Sequence, residues 1–302
     1  MTAFSLTPGS RSGAALMERA VKGRSLWDDA RRRLSRNRAA VTSMVVLILL
    51  IVAALFGPYI TTYGYADIHK NDVWLAPGVG GHLLGTDSLG RDLLARLLIG
   101  LRVSLAIGVV ATSVSLVIGV VWGATAGYLG GVVDEIMMRI VDVLYSLPFI
   151  FFVILLMVTF GTNIVLIFVA IGAVEWLTMS RIVRGQTLSL KQKEFVEAAR
   201  AAGLDRGAII GRHIIPNLLG PVVVYVTLTI PGVILAESFL SFLGLGVQPP
   251  MASLGTLISN GAQDMELAPW LLVFPSLTMI ITLMCFNFIG DGLRDAIDPK
   301  DR

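Results

Sequence analysis

Four stretches of this chain run without a charged residue for longer than the roughly 18 to 20 positions a helix needs to cross hydrocarbon. They cover residues 39–60, 103–133, 143–174 and 267–290, and a fifth, 221–236, continues past Glu237 to position 247. A backbone in lipid must satisfy its own N–H and C=O groups, and the alternation expected of barrel strands is missing, so these runs are predicted to be helices. Composition agrees: 55% of the residues are hydrophobic and 15% charged, where soluble domains carry roughly a quarter charged. Polar and basic sequence fills the residues before position 39, with no short apolar segment of the cleavable kind, so no signal peptide is expected. The single cysteine, Cys285, lies inside the last apolar run. It permits no disulfide within the chain and no cysteine metal cluster.

The 143–174 run fits one long helix or two shorter ones broken at Gly161, Thr162 and Asn163, and charge placement decides. Arg11, Arg19, Lys22, Arg24, Arg31, Arg32, Arg33, Arg36 and Arg38 outnumber the acids before the first run, which predicts a cytoplasmic N-terminus. Only two spans in 143–174 keep the next basic loop, with Arg181, Arg184, Lys191, Lys193, Arg200, Arg206 and Arg212, on that same side. Six helices follow, at about 39–60, 101–127, 138–160, 163–182, 219–243 and 267–290, with both ends cytoplasmic. The expected parts are a basic segment 1–38, a first span 39–60, an outward loop 61–100, a five-helix domain 101–290 and a tail 291–302. Residues 91–100 suggest a short helix leading into the second span.

The polar interruption 191–216 reads KQKEFVEAARAAGLDRGAIIGRHIIP. Phe195, Ala198, Ala199 and Ala202 recur at i, i+3, i+4 and i+7, one face of a short helix, with Lys191, Lys193 and Arg200 on the wet side. Gly203 supplies a stop, Asp205 caps a second short helix, and Pro216 is expected to close the excursion. Such a segment is shaped to be held by another protein; the plainer alternative is an amphipathic helix lying at the lipid surface.

No G-x-x-x-x-G-K-[ST] loop occurs, so this chain does not cradle ATP phosphates by that route. His69 and His82 fall in the outward loop and His213 in the 191–216 interruption, and no H-E-x-x-H, Ser/His pair or paired intramembrane aspartates suggest hydrolysis. No catalytic residue, cofactor or metal site is expected. Gly85, Thr86, Asp87, Gly90, Arg91 and Asp92 form a compact outward motif. Two readings stand: a self-bonded cap in which Asp87 and Asp92 hold Arg91 and nearby amides, or a surface that meets a docked protein. Glu237 and Glu175 lie in apolar helices, where a bare charge costs roughly 2.5 to 3.5 kcal/mol. Glu237 is expected to face the translocation path or a bond to a neighbouring helix, Glu175 to pair with Arg181 or Arg184, and Asp142 to pair with Arg139. Gly119, Gly123 and Gly127, spaced by four, predict close helix packing.

The run Glu197-Ala198-Ala199, then Gly203 and Pro216, resembles the EAA loop of the membrane subunits of ATP-binding-cassette importers. Further stretches are similar to the peptide-importer permeases, and within them to the second membrane subunit of oligopeptide permeases of the OppC type. These are 23–40 (GRSLWDDARRRLSRNRAA), 84–96 (LGTDSLGRDLLAR), 181–191 (RIVRGQTLSLK), 237–250 (ESFLSFLGLGVQPP) and 286–302 (FNFIGDGLRDAIDPKDR). The resemblance implies an all-α membrane protein of six transmembrane helices, the transmembrane domain of a type I ABC importer with a cytoplasmic EAA coupling helix. It implies that Phe195, Glu197, Ala198, Ala199, Gly203, Ile215 and Pro216 meet an ATPase. The implied partners are a homologous permease subunit, two ABC ATPase subunits, an extracytoplasmic peptide-binding protein and the lipid bilayer of the bacterial inner membrane, without nucleic acid. The implied role is a non-enzymatic path for oligopeptide uptake. A dipeptide or nickel permease is the alternative within the family, and a stand-alone ion-coupled carrier using Glu237 and Glu175 the alternative outside it.

Overall fold

The computed structural model describes residues 26–161 and 163–297. The expectations for the basic segment before residue 26 and for residues 298–302 lie outside them. Helix α1 (Leu26–Arg36) leads into α2 (Arg38–Phe56) through Asn37, whose side chain accepts from the Ala40 amide and starts the new helix. After the 57–92 loop come α3 (Leu93–Leu129), α4 (Gly131–Ser146), α5 (Phe149–Phe160) and α6 (Ile164–Leu190). The 191–216 loop carries α7 (Glu194–Ala201) and α8 (Arg206–Ile209) and runs into α9 (Ile215–Phe242). Then α10 (Leu254–Gln263) and α11 (Trp270–Ile297) follow. Among the described residues strand-type pairing is limited to an isolated bridge between Thr86 and Asp92.

Five helical segments are long and apolar enough to cross a membrane: 38–59, 93–129, 165–190, 206–242 and 270–297. The expected third span, 138–160, is instead a bent pair, α4 and α5, meeting at 78°; counted as one broken span it brings the total to six. The break falls at Leu147-Pro148. Proline offers no N–H and pushes the residue before it out of the helical region, and Leu147 has φ −74°, ψ 130°. The short helix expected at 91–100 is the first part of α3, which runs unbroken into the second span for 37 residues from its Asp92 cap. At 1.5 Å per residue that is about 55 Å, so α3 projects well beyond the roughly 30 Å of hydrocarbon.

The tightest seam joins α3 to α6. A Cβ on Gly119 would stand 2.6 Å from Met179 Cβ, one on Gly127 2.8 Å from Thr187 Cβ, and one on Gly123 would strike the Ser180 carbonyl. The four-residue glycine spacing therefore does bring two backbones together. At one end of the bundle, α10 nests against the start of α3 and against α11: Gly100 faces Ser253 and Gly261 faces the Leu271 backbone. At the other end, Tyr128 of α3, Val183 of α6 and Leu218 of α9 close a cluster over which the 191–216 loop is folded.

Pro216 does not close the excursion as expected; it is the second residue of α9. The chain switches to a π turn over Ile210–Ile214, with the Ile215 amide bonding to the Ile210 carbonyl. That extra residue per turn absorbs the donor that proline lacks, so the helical segment continues from Arg206 to Phe242.

Candidate functional site

The 191–216 loop is a small helix pair mounted on a stiff base. Gly203 takes φ +82°, its amide bonds to the Arg200 carbonyl and the Leu204 amide to the Ala199 carbonyl, the paired bonds of a Schellman stop. Asp205 accepts from the Ala208 amide at 3.0 Å and caps α8. Val196 and Ala199 are buried in the cluster with Tyr128, Ile209, Ile214 and Leu218. Ala199 thus belongs to the inward face, not to the presented one. Phe195, 39% exposed, and Ala198 and Ala202 look outward together. Glu197 is also exposed and has no ion pair among the described residues. Lys191, expected on the wet side, is half-buried, and its Nζ donates to the Gly127 carbonyl at 3.0 Å. Ile215 and His213 are half-buried and Pro216 is exposed.

Two ion pairs brace the base. Arg184 grips Asp134 through two hydrogen bonds of 2.6 and 2.7 Å, and Arg181 meets Asp142 at 2.8 Å while stacking 4.3 Å over the Tyr145 ring. Two sequence expectations fail here. Asp142 pairs across to α6 rather than with Arg139 on its own helix. Glu175 pairs with neither arginine, because spacings of six and nine place both on the far side of α6.

The 85–92 motif has turned its polar groups inward. Asp87 Oδ1 accepts from the Leu89 and Arg91 amides at 2.9 and 3.0 Å, and its Oδ2 from Arg91 Nε at 2.8 Å, with Arg96 Nε at 3.5 Å. Thr86 Oγ1 accepts from the Leu75 amide and donates to the Asp72 carbonyl. Asp92 divides its oxygens: Oδ2 caps α3 through the Ala95 amide, and Oδ1 lies 2.8 Å from Nδ1 of buried His82, on which Tyr63 stacks. Gly85 and Gly90 take φ +84° and +72°. A Cβ at Gly90 would drive into the His69 carbonyl and one at Gly85 into the Leu75 carbonyl. Arg91 alone among the six motif residues is not buried. His82 escaped the sequence reading, since nothing in its loop position marks it as a partner of Asp92.

Glu237 is fully buried. Ser241 Oγ donates to its Oε1 at 2.6 Å, while Oε2 has no hydrogen-bond partner among the described residues. The Glu237 bond stays within α9, and Ser241 Oγ lies 3.4 Å from Ser253 Oγ just before α10. Ser104 accepts from the Leu254 amide.

Compared with solved structures, the chain is similar to the inward-facing MetNI methionine ABC transporter, with TM-score 0.57 at 19% identity over 67% of this chain and 96% of that one. A second crystal form of that transporter gives 0.54 at 20% over the same shares. The likeness assigns the fold: an ABC importer transmembrane domain of type I. The family model described as binding-protein-dependent transport system inner membrane component matches residues 116–302, and the N-terminal TM domain of oligopeptide transport permease C matches 25–77. The oligopeptide transport system permease protein OppC of Haemophilus influenzae is 55% identical over 94% of this chain and 92% of its own length. That of Escherichia coli K12 is 58% identical over 93% and 94%, and the dipeptide transport system permease protein DppC of Bacillus subtilis 43% over 92% and 87%. The chain belongs to the binding-protein-dependent transport system inner membrane component family, among its OppC-type ABC permeases.

Proposed function

We propose that this chain forms, with a homologous permease subunit, the path by which oligopeptides cross the bacterial cytoplasmic membrane, with two ABC ATPases gripping the 191–216 loop. The observation that carries the coupling role is the two-sidedness of α7. Val196 and Ala199 are packed into the bundle, whereas Phe195, Glu197 and Ala198 stand free on its outer side. Closure of the ATPases would move α7 as a rigid knob. Through Lys191 and Gly127, and through Arg184 and Asp134, that displacement passes to α3, α6 and α4 together. This subunit breaks no bonds; ATP turnover belongs to its partners.

Arg31, Arg32, Arg33, Arg36 and Arg38 before α2, with the basic 191–216 loop, support cytoplasmic placement of both. The end bearing residues 57–92 and α10 then faces outward and receives a peptide-binding protein. There the 85–92 motif acts as the rigid mount, with Arg91 the side chain within reach of the docked protein. Glu237, fully buried and bonded to Ser241 of its own helix, has a structural role and does not act as a carrier charge. Oligopeptides are favoured over dipeptides because the relatives at 55 and 58% identity are both OppC, whereas the Bacillus subtilis OppC and DppC stand level at 43%.

The test is Glu197→Lys in the assembled transporter. Peptide uptake and substrate-stimulated ATP turnover should both fall by more than about tenfold, the scale set by loss of a charge-assisted contact. Wild-type values for both would remove the coupling assignment.

A further inference from the structure

Glu175 stands about 16 Å along α6 from its start at Ile164, counting 1.5 Å per residue, which is near mid-membrane. A carboxylate at that depth requires a cation, a set of donors or water. Among the described residues no Lys or Arg pairs with it. Both nearby arginines are committed elsewhere, Arg181 to Asp142 at 2.8 Å and Arg184 to Asp134 at 2.6 Å, and Glu175 has no hydrogen bond or ion pair among the described residues. Instead it lines a half-open cavity of about 420 Å³ whose other walls include Tyr145, Pro148, Phe152, Leu144 and Leu177.

Three features of that cavity favour one kind of guest. The carboxylate supplies the charge. Tyr145 and Phe152 contribute ring surface of the kind that attracts a cation, as Tyr145 already does for Arg181 at 4.3 Å. The break between α4 and α5 contributes Leu144, Leu147 and Pro148 to its walls, at the C-terminal end of α4 where the helix dipole is negative. Broken helices at membrane depth are a recurring way of holding charged cargo. A bare metal ion would want several oxygen ligands close together, and here a single carboxylate shares largely apolar walls with the Thr178 and Tyr145 hydroxyls.

We infer that Glu175, Tyr145 and the α4–α5 break form a way-station for an organic ammonium group, such as the amino terminus of a peptide in transit. This inference rests on the peptide-transport reading above and adds to it a site and a chemistry.

The experiment uses the complete transporter with its binding protein in proteoliposomes, and two probes: trialanine with a free amino terminus and N-acetyl-trialanine. Uptake of each is divided by the occupancy of the binding protein measured with the same peptide, so that selection before the membrane cancels. Wild type should move the free amine about tenfold better at equal occupancy, the scale of one charge-assisted bond. Glu175→Gln should bring the ratio to within about twofold, while Glu175→Asp, which keeps the charge, should restore most of it. An unchanged ratio in Glu175→Gln overturns the site. So does an equal loss for both peptides together with dissociation of the permease pair in native mass spectrometry, since the cation would then belong to the sister subunit. Wild type that transports neither peptide strikes the peptide-transport reading itself, a result distinct from either of those.

Discussion

Gly90 and Gly203 share a left-handed backbone, at φ +72° and +82°, and sit in loops at opposite ends of the bundle. A side chain on Gly90 would collide with the His69 carbonyl, whereas one on Gly203 would meet nothing within 4 Å. The contrast extends to their surroundings. Around Gly90 the acids are spent internally: Asp87 on two amides and Arg91, Asp92 on the α3 cap and His82. Around Gly203 only one side of the helix is spent, and Phe195 and Glu197 remain unengaged. A loop that has satisfied itself is a mount; a loop satisfied on one face is prepared for a partner.

Substitutions can break that contrast, and the largest effect is expected at Gly90→Ala. Strained backbone and a collision with fixed main chain together should cost on the order of 3 kcal/mol, seen as a sharp fall in the thermal midpoint of the detergent-purified complex. Asp92→Ala comes next, at about 1 to 3 kcal/mol, because it removes the cap of α3 and strands buried His82 without its acceptor. Gly203→Ala should cost only about 1 kcal/mol, from backbone strain without collision. Glu197→Lys should leave stability within about 0.5 kcal/mol of wild type while removing uptake. Equal destabilisation at Gly90 and Gly203 would mean that the two loops do not differ in the way described.

How much of this was readable beforehand depended on distance along the chain. The Gly203 stop and the Asp205 cap are local devices, satisfied within a few residues, and both stand where the sequence puts them. The glycine spacing of α3 also announced its seam, although not that α6 would fill it. Apolar runs say little about continuity, however. Residues 143–160 are as greasy across the Leu147-Pro148 break as on either side, so the 78° bend left no trace in hydropathy. Pro216 misled in the opposite direction, since a π turn just before it let the helix continue. Charge partners were the least legible. Helical spacing suggests only mates on the same helix, whereas Arg181 and Arg184 reach α4 some 39 and 50 residues away. His82 finds Asp92 through the fold of a loop that carries no periodic signal.

The coupling claim is most directly tested by a single cysteine at Ala198, which is exposed on the outer face of α7, with buried Cys285 as the low background. In inside-out vesicles a membrane-impermeant maleimide should label Ala198→Cys rapidly once the ATPases are stripped away and slowly when they are bound. Equal labelling with and without the ATPases, or labelling only from the opposite side of the membrane, would contradict the account.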